Sequence, residues 1–249
     1  MKKIAMITGA TGGIGLSTAK ILGKAGYSII LNGIDKAQGK DAEKTLTDLD
    51  IPVDIYYFDV TSEEAVNEGF KEIKAKYDHL DVLVNNAGGL GGRSRFEDMD
   101  TAFYRKVLAL NLDSVFYISR AAIPMLKKSE SGSIVNFASN AAWNAGGPGA
   151  GIYGTSKAAV VTLTRALAKD LAEYNIRVNA VSPGTIDTDF HKQIKETNIE
   201  VFNSWKNNVL LKRLGQPEEV GTVIEFLVSE KASFLTGEII QVNGGQDFL

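Results

Sequence analysis

Short runs rich in Val and Ile alternate along this chain with longer amphipathic stretches, and that alternation constrains the fold more than any other feature. The apolar runs are 4–7, 28–31, 53–58, 82–84, 133–137, 177–181 and 239–242. Most are too evenly apolar for burial on one face, which suits parallel strands covered on both sides. Helical periodicity falls between them, near 14–25, 36–49, 62–76, 100–127, 151–173 and 217–229. The pattern predicts an α/β chain built on a Rossmann-type, doubly wound parallel sheet of about seven strands, with right-handed crossovers carrying helices to both faces. No repeat or linker rich in Pro, Gly and Ser interrupts it, so 1–249 reads as a single dinucleotide-binding and catalytic domain. The least periodic stretch, 185–214, reads as a substrate loop or lid.

Composition removes several classes of function. A formal net charge of −3 gives no footprint for nucleic acid or anionic lipid. The absence of cysteine removes disulfides and thiolate metal sites, and the two histidines, His79 and His191, are too far apart in sequence to suggest a metal centre. The opening apolar run stops at Thr8-Gly9, and no stretch approaches the roughly 18 apolar residues of a spanning helix. No membrane partner is expected, and the cytoplasm is the expected address.

The first strand runs into Thr8-Gly9-Ala10-Thr11-Gly12-Gly13-Ile14-Gly15 and then straight into a helix. A turn of this kind brings backbone N–H groups and a helix N-terminus against a pyrophosphate. A Gly-rich βα turn without a ligand has the same local pattern.

Further on, Tyr153 and Lys157 lie four apart on a predicted helix and share one face. A phenol can donate the proton that a carbonyl oxygen needs on reduction, or take it back on oxidation, but its free pKa near 10 makes it a poor base at neutral pH. A neighbouring ammonium is expected to lower that pKa. Spacing alone fits an ordinary helical pair, Tyr half-buried and Lys solvated, better. Ser139 adds to the case: it follows a strand end, fourteen positions before Tyr153 across a Gly-rich loop, and strand ends and following helices converge at the carboxyl edge of such sheets. There its hydroxyl would hold the substrate oxygen and stabilise developing charge. Asn111 sits inside the long helical pattern at 100–127. It is either an exposed weak helix former or an amide that breaks the local ladder.

The turn matches TGxxxGxG, and the chain resembles the short-chain dehydrogenase/reductase family, single-domain branch, along its whole length. Asn85-Asn86-Ala87-Gly88 matches the NNAG motif after the fourth strand, Pro183-Gly184 the PG motif after the sixth, and Gly244-Gly245 is also typical. The resemblance implies an NAD(P)-dependent oxidoreductase that moves hydride between nicotinamide and a carbonyl or secondary alcohol, with Asn111, Ser139, Tyr153 and Lys157 as catalytic residues. It implies that Asn111 holds a proton-relay water, that Lys157 also binds the nicotinamide ribose, and that Asp59 and Val60 meet the adenine. The remaining cofactor contacts it implies are Gly9, Thr11, Gly12, Gly13, Ile14, Gly15 and Asp35, then Asn86, Ala87, Gly88 and Tyr153, and finally Pro183, Gly184, Ile186 and Thr188. It also implies a homotetramer and no metal.

NAD and NADP differ at the adenosine 2′ position, where an acid after the second strand serves NAD and a cation serves NADP. Gly33 occupies the usual acid position, with Asp35 two residues on. The basic residues of NADP users are missing, with Lys36 the nearest cation. NAD(H) is expected over NADP(H).

Leu90, Arg93, Arg95, Asn140, Trp143, Phe190 and His191 are the candidate pocket residues. Arg93 would pair with an anionic substrate group or simply be solvated. The substrate is expected to be a 3-oxoacyl compound, hydroxy acid, polyol or steroid. Lys127, Lys128 and Lys169 make only a partial basic patch for an acidic carrier protein, interrupted by Glu130 and Asp170. Two other classes compete: a nucleotide-binding scaffold that lost catalysis, and a sugar-nucleotide epimerase, whose longer C-terminal substrate domain has no room here.

Overall fold

The computed structural model describes residues 2–188, 196 and 198–248. Its centre is β1 (Ile4–Ile7), fully buried and hydrogen-bonded in parallel to β2 (Ser28–Gly33) on one side and β4 (Val82–Asn85) on the other. With β3 (Val53–Tyr57), β5 (Gly132–Phe137), β6 (Ile176–Pro183) and β7 (Ile239–Val242), the seven strands run in the order β3-β2-β1-β4-β5-β6-β7. All pairings in this sheet are parallel.

Successive strand residues point to opposite faces, so each face needs its own layer of helices. On one face Leu22 of α1 (Gly13–Lys24), Leu46 of α2 (Lys36–Thr47) and Ile224 of the last long helix cover Ile7, Ile29 and Leu31. On the other, Phe70 of α3 (Glu63–Lys76) packs with Met6, Ile30 and Leu83. The strand order turns back between β1 and β4, which opens a crevice at their carboxyl ends, where such sheets bind ligands.

The helix expected over 100–127 is three pieces: α4 (Thr101–Leu108), a π-helical turn (Ala109–Asp113) and α5 (Ser114–Leu126). The Asn111 Nδ2 and Ser114 Oγ groups donate to the carbonyls of Val107 and Leu110, competing with the backbone ladder at the wide turn. A short α6 (Ala141–Asn144) precedes α7 (Gly151–Leu171). The stretch 185–214 is not wholly irregular. It contains α8 (Ile199–Asn208), which buries Phe202, and a parallel bridge pairs Ile186 with Gly215 across its ends. Candidates Phe190 and His191 lie outside the described residues. α9 (Pro217–Val228) leads to β7. Among the described residues, no helix is long and apolar enough to cross a membrane.

Candidate active site

The turn after β1 has the geometry of an anion cradle. Gly12 is the N-cap of α1 in extended conformation, no side chain caps the helix, and its first turn carries no acid. The amides there are unclaimed by protein side chains, at the positive end of the helix dipole. A Cβ built on Gly12 would meet nothing within 4 Å, whereas one on Gly15 would lie 2.6 Å from Asn86 Nδ2 and 2.8 Å from Ala10 Cα. Gly13 has φ +53° and the Thr188 side chain stands near it, 3.8 Å from an ideal Cβ. A close-packed back with an open, donor-rich front fits a dinucleotide pyrophosphate.

The residues after β4 brace this turn. Asn86 Nδ2 donates to the carbonyls of Thr8 and Gly9, both at 2.8 Å, and the Ala87 amide donates to Thr8 Oγ1 at 3.1 Å. Asn85 points into the sheet instead, donating to Ser119 Oγ and Asn136 Oδ1. Asn86 and Ala87 therefore contribute to the cradle chiefly by shaping it.

At the adenosine end, Asp35 is the N-cap of α2, its Oδ1 accepting from Ala37 N and Gln38 N at 2.7 and 3.1 Å. Gly33 cannot carry the acid usual at its position, because a Cβ there would lie 2.5 Å from Thr11 Cγ2. Thr11 in turn reaches Gln38, its hydroxyl donating to Oε1 at 3.3 Å. Asp59 accepts from the amide and hydroxyl of Thr61. The Val60 and Ile186 side chains are buried in the core, so only their backbones can face a ligand. Gly184 donates its amide to Val242 O, and the carbonyl of Pro183 accepts from Asn140 N.

Lys157 of α7 is buried, with Nζ donating to Phe137 O at 2.8 Å. Nζ stands 5.8 Å from the Tyr153 ring centroid, one helical turn away on α7. Burial lowers the Lys157 pKa to about 8. The expected lowering of the Tyr153 pKa by the lysine is corrected by this geometry. Burial raises the phenol, and the one opposing contribution is a hydrogen bond with Ser139. Ser139 is buried at the end of β5; its Oγ accepts from Ala141 N and donates to Asn140 Oδ1.

Asn111 is fully buried in the π-turn. Its Nδ2 donates to Gly89 O at 2.8 Å and Val107 O at 3.0 Å, while Oδ1 accepts from Gly89 N at 3.0 Å. The amide so far assigned to holding a water is mostly spent on the loop after β4, where it binds both the N–H and the carbonyl of Gly89. Gly88 sits between it and Lys157 without a side chain.

On the substrate side, Leu90 is half-buried, and Trp143 stands half-exposed on α6 beside Asn140. Arg93 is a loop staple rather than a free pocket cation: it donates to Pro148 O at 3.0 Å, and Ser94 N donates to Gly149 O. Arg95 is exposed. Sequence reasoning missed Asp247, whose Oδ2 accepts from Asn140 and Asn144 Nδ2, both at 2.9 Å. Partners 107 and 103 residues away leave no local signal.

The profile described as Enoyl-(Acyl carrier protein) reductase matches residues 9–247. The chain is 37% identical over 244 residues to the 3-oxoacyl-(acyl-carrier-protein) reductase of Aquifex aeolicus, covering 98% of this chain and 96% of that one. It is 34% identical to the 7alpha-hydroxysteroid dehydrogenase of Bacteroides fragilis, over 98% and 93% of the two chains. The solved structure of an NADH-dependent reductase responsible for alginate metabolism superposes with a TM-score of 0.90 at 33% identity, covering 100% of this chain and 98% of that chain. With the cradle, the crevice and these relatives together, the chain belongs to the short-chain dehydrogenase/reductase family, the nicotinamide-dependent oxidoreductases that interconvert carbonyls and alcohols.

Proposed function

We propose that this protein reduces the carbonyl of a small, carrier-free substrate with NADH, and that Tyr153 is the proton donor. The observation that carries this is the pairing of a half-buried phenol, whose pKa desolvation raises, with the buried Ser139 hydroxyl at the end of β5. Bound NADH supplies the hydride. Ser139 holds the substrate oxygen, Tyr153 gives it a proton as negative charge develops, the Ser139 hydrogen bond stabilises the phenolate left behind, and Lys157 anchors the Phe137 carbonyl one helical turn away. Asn111 positions the loop that shapes this centre, and residues 185–214 act as a lid within a single 1–249 domain.

Asp35 favours NADH, because a 2′-phosphate would meet the like charge of its carboxylate with no cation paired to it among the described residues; the relative whose solved structure is named NADH-dependent lends support. A carrier-free substrate is favoured by the fate of the basic patch. Lys128 is paired with Asp78 at 2.6 Å, and Lys127 sits over the Tyr174 ring at 3.3 Å. Residence in the cytoplasm and assembly as a homotetramer complete the proposal, with exposed Tyr104, Phe116 and Phe96 available for a subunit contact.

The test is a panel of a 3-oxoacyl thioester (free and carrier-bound), a 2-oxo acid, a cyclic ketone, a ketose and a 7-oxo steroid. Each is assayed with NADH and NADPH and followed by nicotinamide absorbance. A higher kcat/KM with NADPH overturns the cofactor assignment. A higher kcat/KM for the carrier-bound thioester than for the free one overturns the carrier-free assignment.

A further inference from the structure

The segment after β7 reaches back to the catalytic serine. Asn243 Oδ1 accepts from Gly245 N at 3.0 Å, and Asn243 Nδ2 donates to Asp247 O at 2.9 Å, closing a tight loop. Gln246 Oε1 ties that loop to the turn after β6, accepting from Thr185 N at 2.9 Å and Thr185 Oγ1 at 3.2 Å. The loop delivers the Asp247 carboxylate to α6, where Oδ2 accepts from Asn140 and Asn144.

Asn140 is the residue after Ser139, and its amide has two chemically different ends. A carboxylate only accepts, so it draws the NH2 end of Asn140 toward itself and turns the carbonyl end toward Ser139. That end accepts the Ser139 hydroxyl at 3.3 Å, a long bond that a substrate oxygen can displace. The Ala141 amide donates to Ser139 Oγ at 3.2 Å, so the hydroxyl is held from two sides.

We propose that Asp247 is a positioning residue for the reaction: through Asn140 it fixes the direction of the Ser139 hydroxyl, so that the serine stands ready to hold the substrate oxygen beside Tyr153. Without the carboxylate, Asn140 is free to flip and present NH2 to Ser139, which turns the serine proton elsewhere. The effect belongs to the chemical step, because Asp247 reaches neither the phosphate cradle nor Asp35. This inference rests on Ser139 and Tyr153 being the reacting pair.

The experiment measures NADH reduction of ethyl acetoacetate, a small 3-oxo ester, by the full chain and by D247N, D247E, S139A and S139A/D247N. NADH binding by fluorescence and thermal melting accompany each. D247N is expected to lower kcat about tenfold, the scale of a lost orienting bond, with KM for NADH, NADH binding and melting temperature unchanged. D247E should recover most of that rate, and adding D247N to S139A should change nothing further. Equal rates for D247N and the parent, or a full D247N effect in the S139A background, overturn the positioning role alone. Full turnover by S139A, or none by the parent, overturns the reacting pair on which it rests.

Discussion

Asn111 and Lys157 converge on the space where Gly88 lacks a side chain: an ideal Cβ there would lie 3.0 Å from Asn111 Oδ1 and 3.2 Å from Lys157 Nζ. A π-turn and a long helix thus meet across the loop that follows β4, and any side chain between them would separate the buried lysine from the amide. The loop is the hinge point of the site, since the same residues that brace the phosphate turn continue into it. Changes in this region are expected to reach both cofactor binding and the chemistry.

Tyr153→Phe removes the proton donor and leaves the ring. Turnover should fall by about 10²-fold or more, the scale for losing a general acid, while NADH binding, read by fluorescence, stays near that of the parent. Near-normal turnover would assign the proton to another group.

Lys157→Met separates stability from activity. The lysine pKa is lowered from 10.5 to about 8 by burial, so charging it costs the folded state more than the unfolded one. Between those two values the unfolded chain holds more protons, and stability rises with pH; below about 8 the penalty is fully present. The shift corresponds to roughly 3 kcal/mol. Denaturant unfolding of parent and variant from pH 7 to 10.5 should show the variant's relative advantage shrinking as pH rises, although the variant is inactive. A pH-independent difference would mean that the lysine is not desolvated as the fold indicates.

Asn111→Asp keeps size and shape but replaces an NH2 donor by an acceptor facing the carbonyls of Gly89 and Val107. Two buried acceptors lose their donor, and a loss of about 3 kcal/mol is expected. Urea unfolding measures it. Affinity for NADH should weaken in parallel, because the loop after β4 also carries Asn86. Unchanged stability would show that the amide does not hold the loop.

Gly33→Asp installs the acid that the family usually carries, yet it should not improve NADH use, because Thr11 Cγ2 occupies the space its Cβ needs. Gly33→Asp with Thr11→Ser removes that methyl. The double variant should show a lower KM for NADH than Gly33→Asp alone. Equal values would mean that the turn shifts to accommodate the single change.

The parts of this molecule that were legible in the sequence are those governed by short spacings. The Gly9–Gly15 turn between a Val/Ile run and a helix announced the cradle, and the four-residue step from Tyr153 to Lys157 announced a shared face. The π-turn around Asn111 was legible only as one of two alternatives, because apolar periodicity continues through it and the side-chain bonds to Val107 and Leu110 decide for the broken ladder. Asp247 was invisible for another reason: its partners are fixed by the whole sheet, in which the loop after β7 reaches across the end of β6 to the loop after β5. The ionisation of Tyr153 was anticipated in the wrong direction, since spacing reports proximity to a lysine but not the loss of water around both groups.

The π-turn also carries a message about chain length. Ala109–Asp113 stores one more residue than an α-helical path would need. Deleting a residue there would let the two flanking helices join as one regular rod, with little change in the direction of Ile118 and Met125. What it would remove is the widened turn from which Asn111 reaches Gly89. An added residue, by contrast, finds the bulge already filled and would turn the second helix by roughly 100° about its axis, so an insertion there is expected to be far more damaging than a deletion or a conservative exchange of Leu110 or Leu112.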